Sequence, residues 1–306
     1  MKRFFQTLRA LSLISSCLWL VSLTATAEPA TKHILFFPKS SGFEHSPIKC
    51  TNGQMSFAAK VLDELARTNH FEFTFTKDGT VFTPENIAKY DAFFFYTTGD
   101  LTERGTDGNP PMSKEGKAAF LQAIYQGKGF IGTHSATDTF HSPSNKKVGP
   151  ARWKNDAEVD PYVRMIGAEF IIHGGQQKGH MICADPKFPG MSAVPADFAP
   201  LEEWYTLKDF APNLHVLLVQ DTSNMEKTGG NHCYDRPNYP ATWAHLYGKG
   251  RVFYTSMGHR EDVWTNPVFQ QVLLGGINWA VGNVKADVKP NIEKVTPQAS
   301  VLPSQP

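Results

Sequence analysis

The chain has 306 residues, 41% of them hydrophobic, enough for one large domain or two modest ones with a proper core. Thirty Lys and Arg stand against 29 Asp and Glu, a formal net charge of +1, so no basic field exists to hold nucleic acid or an anionic membrane surface. A small neutral partner suits this balance better.

At the N-terminus, Lys2, Arg3 and Arg9 accompany an apolar stretch at 10–23 and the small-x-small triplet Ala25-Thr26-Ala27. That is the pattern of a signal peptide, residues 1–27, and predicts a mature chain that starts near Glu28 and is periplasmic or secreted. An uncleaved anchor is disfavoured because the apolar run is short and carries serines. Lipidation at Cys17 is disfavoured because the run continues beyond it. Removal of Cys17 leaves Cys50, Cys183 and Cys233, so at most one intramolecular disulfide is expected. No CxxC or Cys-His spacing suggests a structural zinc ribbon.

The predicted elements alternate. A short apolar run at 33–38 is followed by helical character over 48–67, with Phe57, Val61, Leu62 and Leu65 on one face. Residues 71–76 alternate apolar and polar, as a strand near a sheet edge would. Residues 91–96 are apolar and aromatic after Asp91, as a strand covered on both faces would be. A helix over 113–126 leads into a buried strand at 129–133. The segment 145–212, rich in Pro, Gly and charge, reads as excursions with short strands at 168–172 and 179–184. A strand at 214–220 follows, then a hairpin of 241–247 and 251–256 around Gly248-Lys249-Gly250, then a helix over 266–281 that Pro267 opens and Gly282 closes. The order predicts an α/β fold with a mainly parallel, doubly wound sheet, helices on both faces and an added C-terminal hairpin. Residues 28–283 form the single expected domain, and the Pro, Ser and Gln content of 284–306 predicts a loose tail.

Ligands of an open parallel sheet bind beyond the carboxyl ends of its strands. The predicted strands run into Ser40-Ser41-Gly42-Phe43-Glu44-His45, Thr97-Thr98-Gly99-Asp100, His134-Ser135-Ala136-Thr137-Asp138, His173-Gly174-Gly175 and Met257-Gly258-His259-Arg260. Five segments with the same vocabulary of histidine, hydroxyl and carboxylate are more than loops need for solubility.

Together with Tyr90-Asp91, Glu203-Trp204-Tyr205 and Gly250-Arg251-Val252-Phe253-Tyr254-Thr255, these motifs resemble the ThuA-like, or trehalose-utilisation, family over residues 32 to 282. The resemblance implies a class I glutamine-amidotransferase-like, flavodoxin-like architecture. It also implies a link to disaccharide catabolism through 3-keto sugars, with a sugar oxidoreductase acting upstream.

The residues limit what is inherited. No cysteine stands at the turn near His134, so the glutaminase mechanism, which needs a thiolate beside a histidine, is excluded there. Cys50 is expected in the first helix, Cys183 in a strand and Cys233 in a loop. Ser135 as nucleophile lacks the G-x-S-x-G elbow, and a capping or local hydrogen-bonding role is the favoured alternative. Histidine can work near neutral pH without a special motif. His134, His45 and His259, with Asp138, are therefore the expected catalytic groups. His45, His134, His173 and His259 are also a candidate set for a divalent metal such as zinc. Ser41, Phe43, Thr98, Asp100, Ser135, His173, Trp204 and Tyr205 are the candidate substrate-binding residues, Trp204 and Tyr205 as a sugar-stacking platform or as core. Blander roles are expected for His33, His70 and His215 at strand starts and for His141 and His232 in polar loops. His180 is ambiguous, and His245 reads as a hydrogen-bonded core residue.

The expected function is that of an exported protein that cleaves or rearranges a keto-glycoside or trehalose-like disaccharide by histidine acid/base chemistry, with or without a metal. The competing readings are a non-catalytic sugar-binding module and a metal-dependent glycosidase, which paired carboxylates would mark.

Overall fold

The structure, a computed structural model, describes residues 30–145 and 150–305. The expected signal peptide and its cleavage site lie outside the described residues. In chain order the elements are β1 (Lys32–Phe37), α1 (Phe57–Ala66), β2 (Phe71–Phe75), α2 (Pro84–Ile87), β3 (Ala92–Phe95), α3 (Lys114–Gln126), β4 (Gly129–Thr133), α4 (Pro161–Ile166) and β5 (Glu169–His173). They continue with β6 (Gln177–Lys178), β7 (His180–Cys183), β8 (Leu201–Glu202), β9 (Tyr205–Lys208), β10 (His215–Asp221), β11 (Tyr239–Tyr247), β12 (Gly250–Thr255), α5 (Glu261–Trp264), α6 (Pro267–Ala280) and α7 (Ile292–Val295).

Eight strands form one sheet in the order β2-β1-β3-β4-β12-β11-β10-β7. The first five are mutually parallel, and β11, β10 and β7 extend the sheet by antiparallel pairing. Alternation decides the two cores. Ile34 and Phe36 face one side with Phe94, Ile131, Phe253 and the apolar faces of α1 and α6. Leu35 and Phe37 face the other with Phe93, Phe95, Phe130 and α3, where the Phe95 and Phe120 rings stack at 4.9 Å. The edge strand β2 buries Phe71 and exposes Glu72 and Thr74, as its alternation requires. Pairs β5–β9 and β6–β8 form two small ribbons outside the main sheet.

Three expectations change. The helix expected over 48–67 begins only at Phe57, capped by Ser56, because Asn52 and Gly53 adopt left-handed φ values of 54° and 72° that no α-helix continues through. Cys50 therefore lies exposed in a loop, and all three described cysteines are free. The hairpin β11–β12 is not an addition, since β12 is a central strand beside β4. The segment 284–305 is not loose either. Its composition is that of a tail, but Asn291 completes the ladder of β10 where β7 does not reach. Val216 N donates to Asn291 Oδ1 at 2.6 Å, Asn291 Nδ2 donates to Val216 O at 3.1 Å, and Ile292 and Ala299 are buried behind it.

Replacing Asn291 by Ala leaves the Val216 amide and carbonyl without these partners. The cost expected from one unsatisfied pair of backbone groups is about 2–3 kcal/mol, read as a lower urea midpoint with unchanged slope. An unchanged midpoint would show that the segment adds nothing to the fold.

Candidate functional site

Because β1, β3, β4 and β12 are parallel neighbours, their carboxyl ends open on one side of the sheet. The loop after β1 carries His45, the turn after β4 carries His134, and the loop after β12 carries His259. A fourth group, Glu203, enters from the two-residue connection between β8 and β9. One ligand atom from each of His45, His134, Glu203 and His259 lies within 4.8 Å of the others.

The turn that carries His134 is tight. Gly132 packs so closely that a Cβ there would meet Tyr254, Ala136 and Ile166 at 3.1–3.2 Å, and His134 itself holds φ 42°, a left-handed conformation costly for a side chain of its size. The ring is fully buried. Its Nδ1–H donates to the Ser256 carbonyl at 3.2 Å, so Nε2 presents its lone pair to the cluster, 3.2 Å from both His45 Nε2 and His259 Nδ1. Glu203 Oε2 is 3.1 Å from His259 Nδ1 and 3.6 Å from His134 Nε2. On the outer side, Gln176 Nε2 lies 3.0 Å from His259 Nε2, while Gln176 Oε1 accepts from Arg260. Buried Glu202 fixes the same loop by accepting from the backbone amides of His259 and Arg260, both at 3.1 Å.

Burial pushes the His45 pKa down to about 2, reinforced by the neighbouring His134 and His259. His134 is lowered for the same first reason, burial, although Glu203 opposes it. Burial works against ionisation of Glu203, but the adjoining His134 and His259 outweigh it and hold the carboxyl well below its usual range. Burial thus keeps the nitrogens of His45 and His134 neutral beside one carboxylate. A tetrahedral zinc with bonds of about 2.05 Å separates its ligand atoms by about 3.3 Å, close to the 3.1, 3.2 and 3.6 Å contacts of this group. The donor set and its spacing fit such an ion.

The remaining expected residues divide. Asp138 is bonded to His141 at 2.7 Å, and His173 stands beside the cluster. His173 is 42% exposed, stacks on Tyr205, and its Nδ1 lies 3.4 Å from the second oxygen of Glu203. It belongs to the outer side of the group, and Glu203 takes the ligand place expected for it. Phe43 is 69% exposed with its ring edge-on to His45 at 5.0 Å. Tyr205 is buried, its ring 4.3 Å from that of His134. Trp204 is fully buried and donates to Gln177 O, so it offers no face to a sugar and is core. Thr98 donates to Phe43 O and accepts from Gly42 N, which makes it a brace for the Phe43 loop. Ser41 donates to Glu103 O, and Asp100 accepts from Thr102. Ser135 lies on a short 3-10 turn with its Oγ buried, and no helix follows for it to cap. Burial raises the Cys233 thiol to about 11, so neither its place nor its ionisation suits a nucleophile.

Two functional groups escaped the strand-end reasoning. Glu203 sits between two short strands that no periodicity marked. Its signal was the Glu203-Trp204-Tyr205 motif, read for its aromatics. His141 is no surface residue: Nε2 donates to Asp138 Oδ1 at 2.7 Å and Nδ1 to Glu169 Oε1 at 2.9 Å. Burial disfavours its charge, yet the two carboxylates prevail and raise it to about 9. His215 likewise bonds Asp185 and the Lys289 carbonyl, His180 bonds Asp221, and His245 is a core residue.

The family model described as trehalose utilisation, ThuA, matches residues 33–280. A ThuA-like protein from Bacteroides uniformis superposes with a TM-score of 0.59 at 18% identity, covering 86% of this chain and 96% of that one. Another from Parabacteroides merdae gives 0.54 at 16% identity, covering 90% and 98%. At these identities the two structures speak for the fold. No curated protein matches the chain.

Two outcomes are expected from this geometry. The strain at φ 42° makes His134→Gly more stable than His134→Ala by about 1 kcal/mol, measurable by urea unfolding of the metal-free proteins; equal stabilities would show that the turn relaxes. His141 has a folded pKa near 9 against 6.5 ordinarily, so its contribution, on the order of 3 kcal/mol, is complete below pH 6.5 and fades as pH rises through 9. Wild type minus His141→Asn stability, followed across that window, should shrink; a constant difference contradicts the assignment.

Proposed function

The chain belongs to the ThuA, or trehalose-utilisation, family, and from that premise we propose that it is a metal-dependent enzyme acting on a keto-glycoside of trehalose type. The observation that supports this most is the meeting of His45, His134, His259 and Glu203 within 4.8 Å at the end of the sheet where parallel α/β folds bind ligands. A divalent ion such as zinc, which keeps a position open to substrate when three of these groups hold it, would polarise the ketone oxygen and acidify the neighbouring C–H.

The chain's own residues supply the rest. Asp138 is partly exposed and held by the charged His141 at 2.7 Å, which orients it to accept the proton alpha to the ketone. His173, 42% exposed beside Glu203, is the candidate to return a proton to the departing glycosidic oxygen. Loss of the proton and of the C1 substituent then completes a β-elimination. The exposed Phe43 ring, beside His45, offers an apolar face to the C–H face of a pyranose. Such a substrate requires an oxidoreductase upstream to make the ketone, and the signal-peptide pattern of residues 1–27 supports a reaction outside the cytoplasm.

The test is metal analysis of the purified mature protein, joined to incubation with 3-keto-trehalose and mass spectrometry. One divalent ion per chain and cleavage abolished by chelation are expected. His134→Ala should lose more than the about 10- to 100-fold typical of outer partners of a metal. Cleavage that survives complete metal removal would transfer the chemistry to Asp138 and His173 alone. Absence of both metal and turnover would leave a sugar-binding module.

A further inference from the structure

We propose a second cation site in this chain, independent of the reading above: Asp156, Glu169 and Asp209 form a site for a hard divalent cation of the calcium class. The site lies where the ribbon β5–β9 begins and ends, since Glu169 opens β5 opposite Lys208, the last residue of β9. Asp209 follows at once with φ 56°. The loop at 154–156 is tied to it, Asp156 N donating to Asp209 Oδ1 at 2.6 Å and Asp209 N to Asn155 Oδ1 at 3.0 Å. One oxygen from each carboxylate lies within 4.8 Å of the other two. Oxygen ligands of an ion with bonds of about 2.4 Å are at most about 4.8 Å apart, so the trio meets the geometric limit.

An acidic group alone would carry little, but Glu169 is not an ordinary member of one. It is fully buried, and its Oε1 is saturated by Ser142 N, Asn145 Nδ2 and His141 Nδ1 at 2.8, 2.8 and 2.9 Å. Its Oε2 is buried with no hydrogen-bond partner, and so is Asp209 Oδ2. A buried carboxylate oxygen without a donor costs several kcal/mol. The cations bonded to this group do not settle the account. Lys208 Nζ binds Asp156 Oδ2 at 2.7 Å and the Lys154 carbonyl at 3.0 Å but stands 3.5 Å from Asp209 Oδ2. His141 divides its charge between Glu169 and Asp138. A divalent ion would bind both orphan oxygens and balance the group. All donors are oxygen, which selects a hard ion over zinc. Asp156 and Asp209 also line a cavity of about 640 Å³ with Asn155, Arg164 and Glu293, which provides an entry path and room for the waters that complete calcium's shell.

The experiment is thermal unfolding and equilibrium dialysis of the chelator-stripped mature chain with calcium, against magnesium at equal ionic strength. One calcium per chain and a rise in Tm of about 5 °C at a hundredfold excess over Kd are expected. Asp156→Asn, on the cavity side, should lose the shift; it decides the matter should Glu169→Gln fail to fold. His134→Ala should keep the shift, which separates this site from the histidine cluster. No calcium uptake, an equal shift in magnesium, or a full shift in Asp156→Asn would overturn the proposal and leave Lys208 as the cation that closes the group.

Discussion

The parallel pairing of β12 with β4, Val252 against Phe130 through Thr255 against Thr133, is the constraint on which the site depends. A hairpin appended to the sheet edge would have carried His259 away from His134. Set between β4 and β11, β12 instead delivers its carboxyl end beside those of β1 and β4, and three imidazoles from distant parts of the chain arrive at one point. The aromatic core underneath makes that register unique. A one-residue slip would move Phe130, Val252 and Tyr254 from the α3 side to the α1 and α6 side.

Electrostatics and strain explain how such a group can persist in a folded chain. His45 and His259 each stand 3.2 Å from His134, and burial keeps His45 and His134 from taking up charge. Glu203 supplies one negative charge and, like His259, is partly exposed, which lowers its solvation cost. The left-handed backbone at His134 costs about 1–3 kcal/mol. That is comparable with the burial of a single large apolar side chain, and Tyr205, Tyr96 and Tyr254 all pack or bond around the turn. The strain is thus supported by its surroundings, as expected where a position is set by chemistry more than by folding.

Much of this was legible in the residues. Continuous apolar runs identified the central strands, period-two alternation identified the edge strand, and strand-end vocabulary located His45, His134 and His259. What was not legible shared a cause: it depended on contacts distant in sequence. Glu203 lies in a connection whose position is set by ribbons packed over the sheet. His141 looked like a loop residue because Glu169, its partner, is 28 residues away. Asn291 sits in a segment with the composition of a tail and is ordered only because β10 leaves backbone groups open there. Trp204 erred in the opposite direction, since an aromatic that suits a sugar platform suits a core equally well and only burial separates the two.

The turn after β4 shows what the fold allows to change. A sharp strand-to-turn junction that forces one side chain into the ligand space can present a nucleophile or a ligand equally well, because the geometry fixes position and not chemistry. With histidine in that place, the Ser256 carbonyl sets the tautomer and turns Nε2 inward. The residue then works as a fixed lone pair, which is of little use to acyl transfer and of direct use to a metal or a proton. Neighbouring loops follow the same logic: Glu202 and Gln176 fix His259, and Thr98 fixes the loop of His45. The side chains that hold the site in shape make their bonds to backbone or to the histidines themselves.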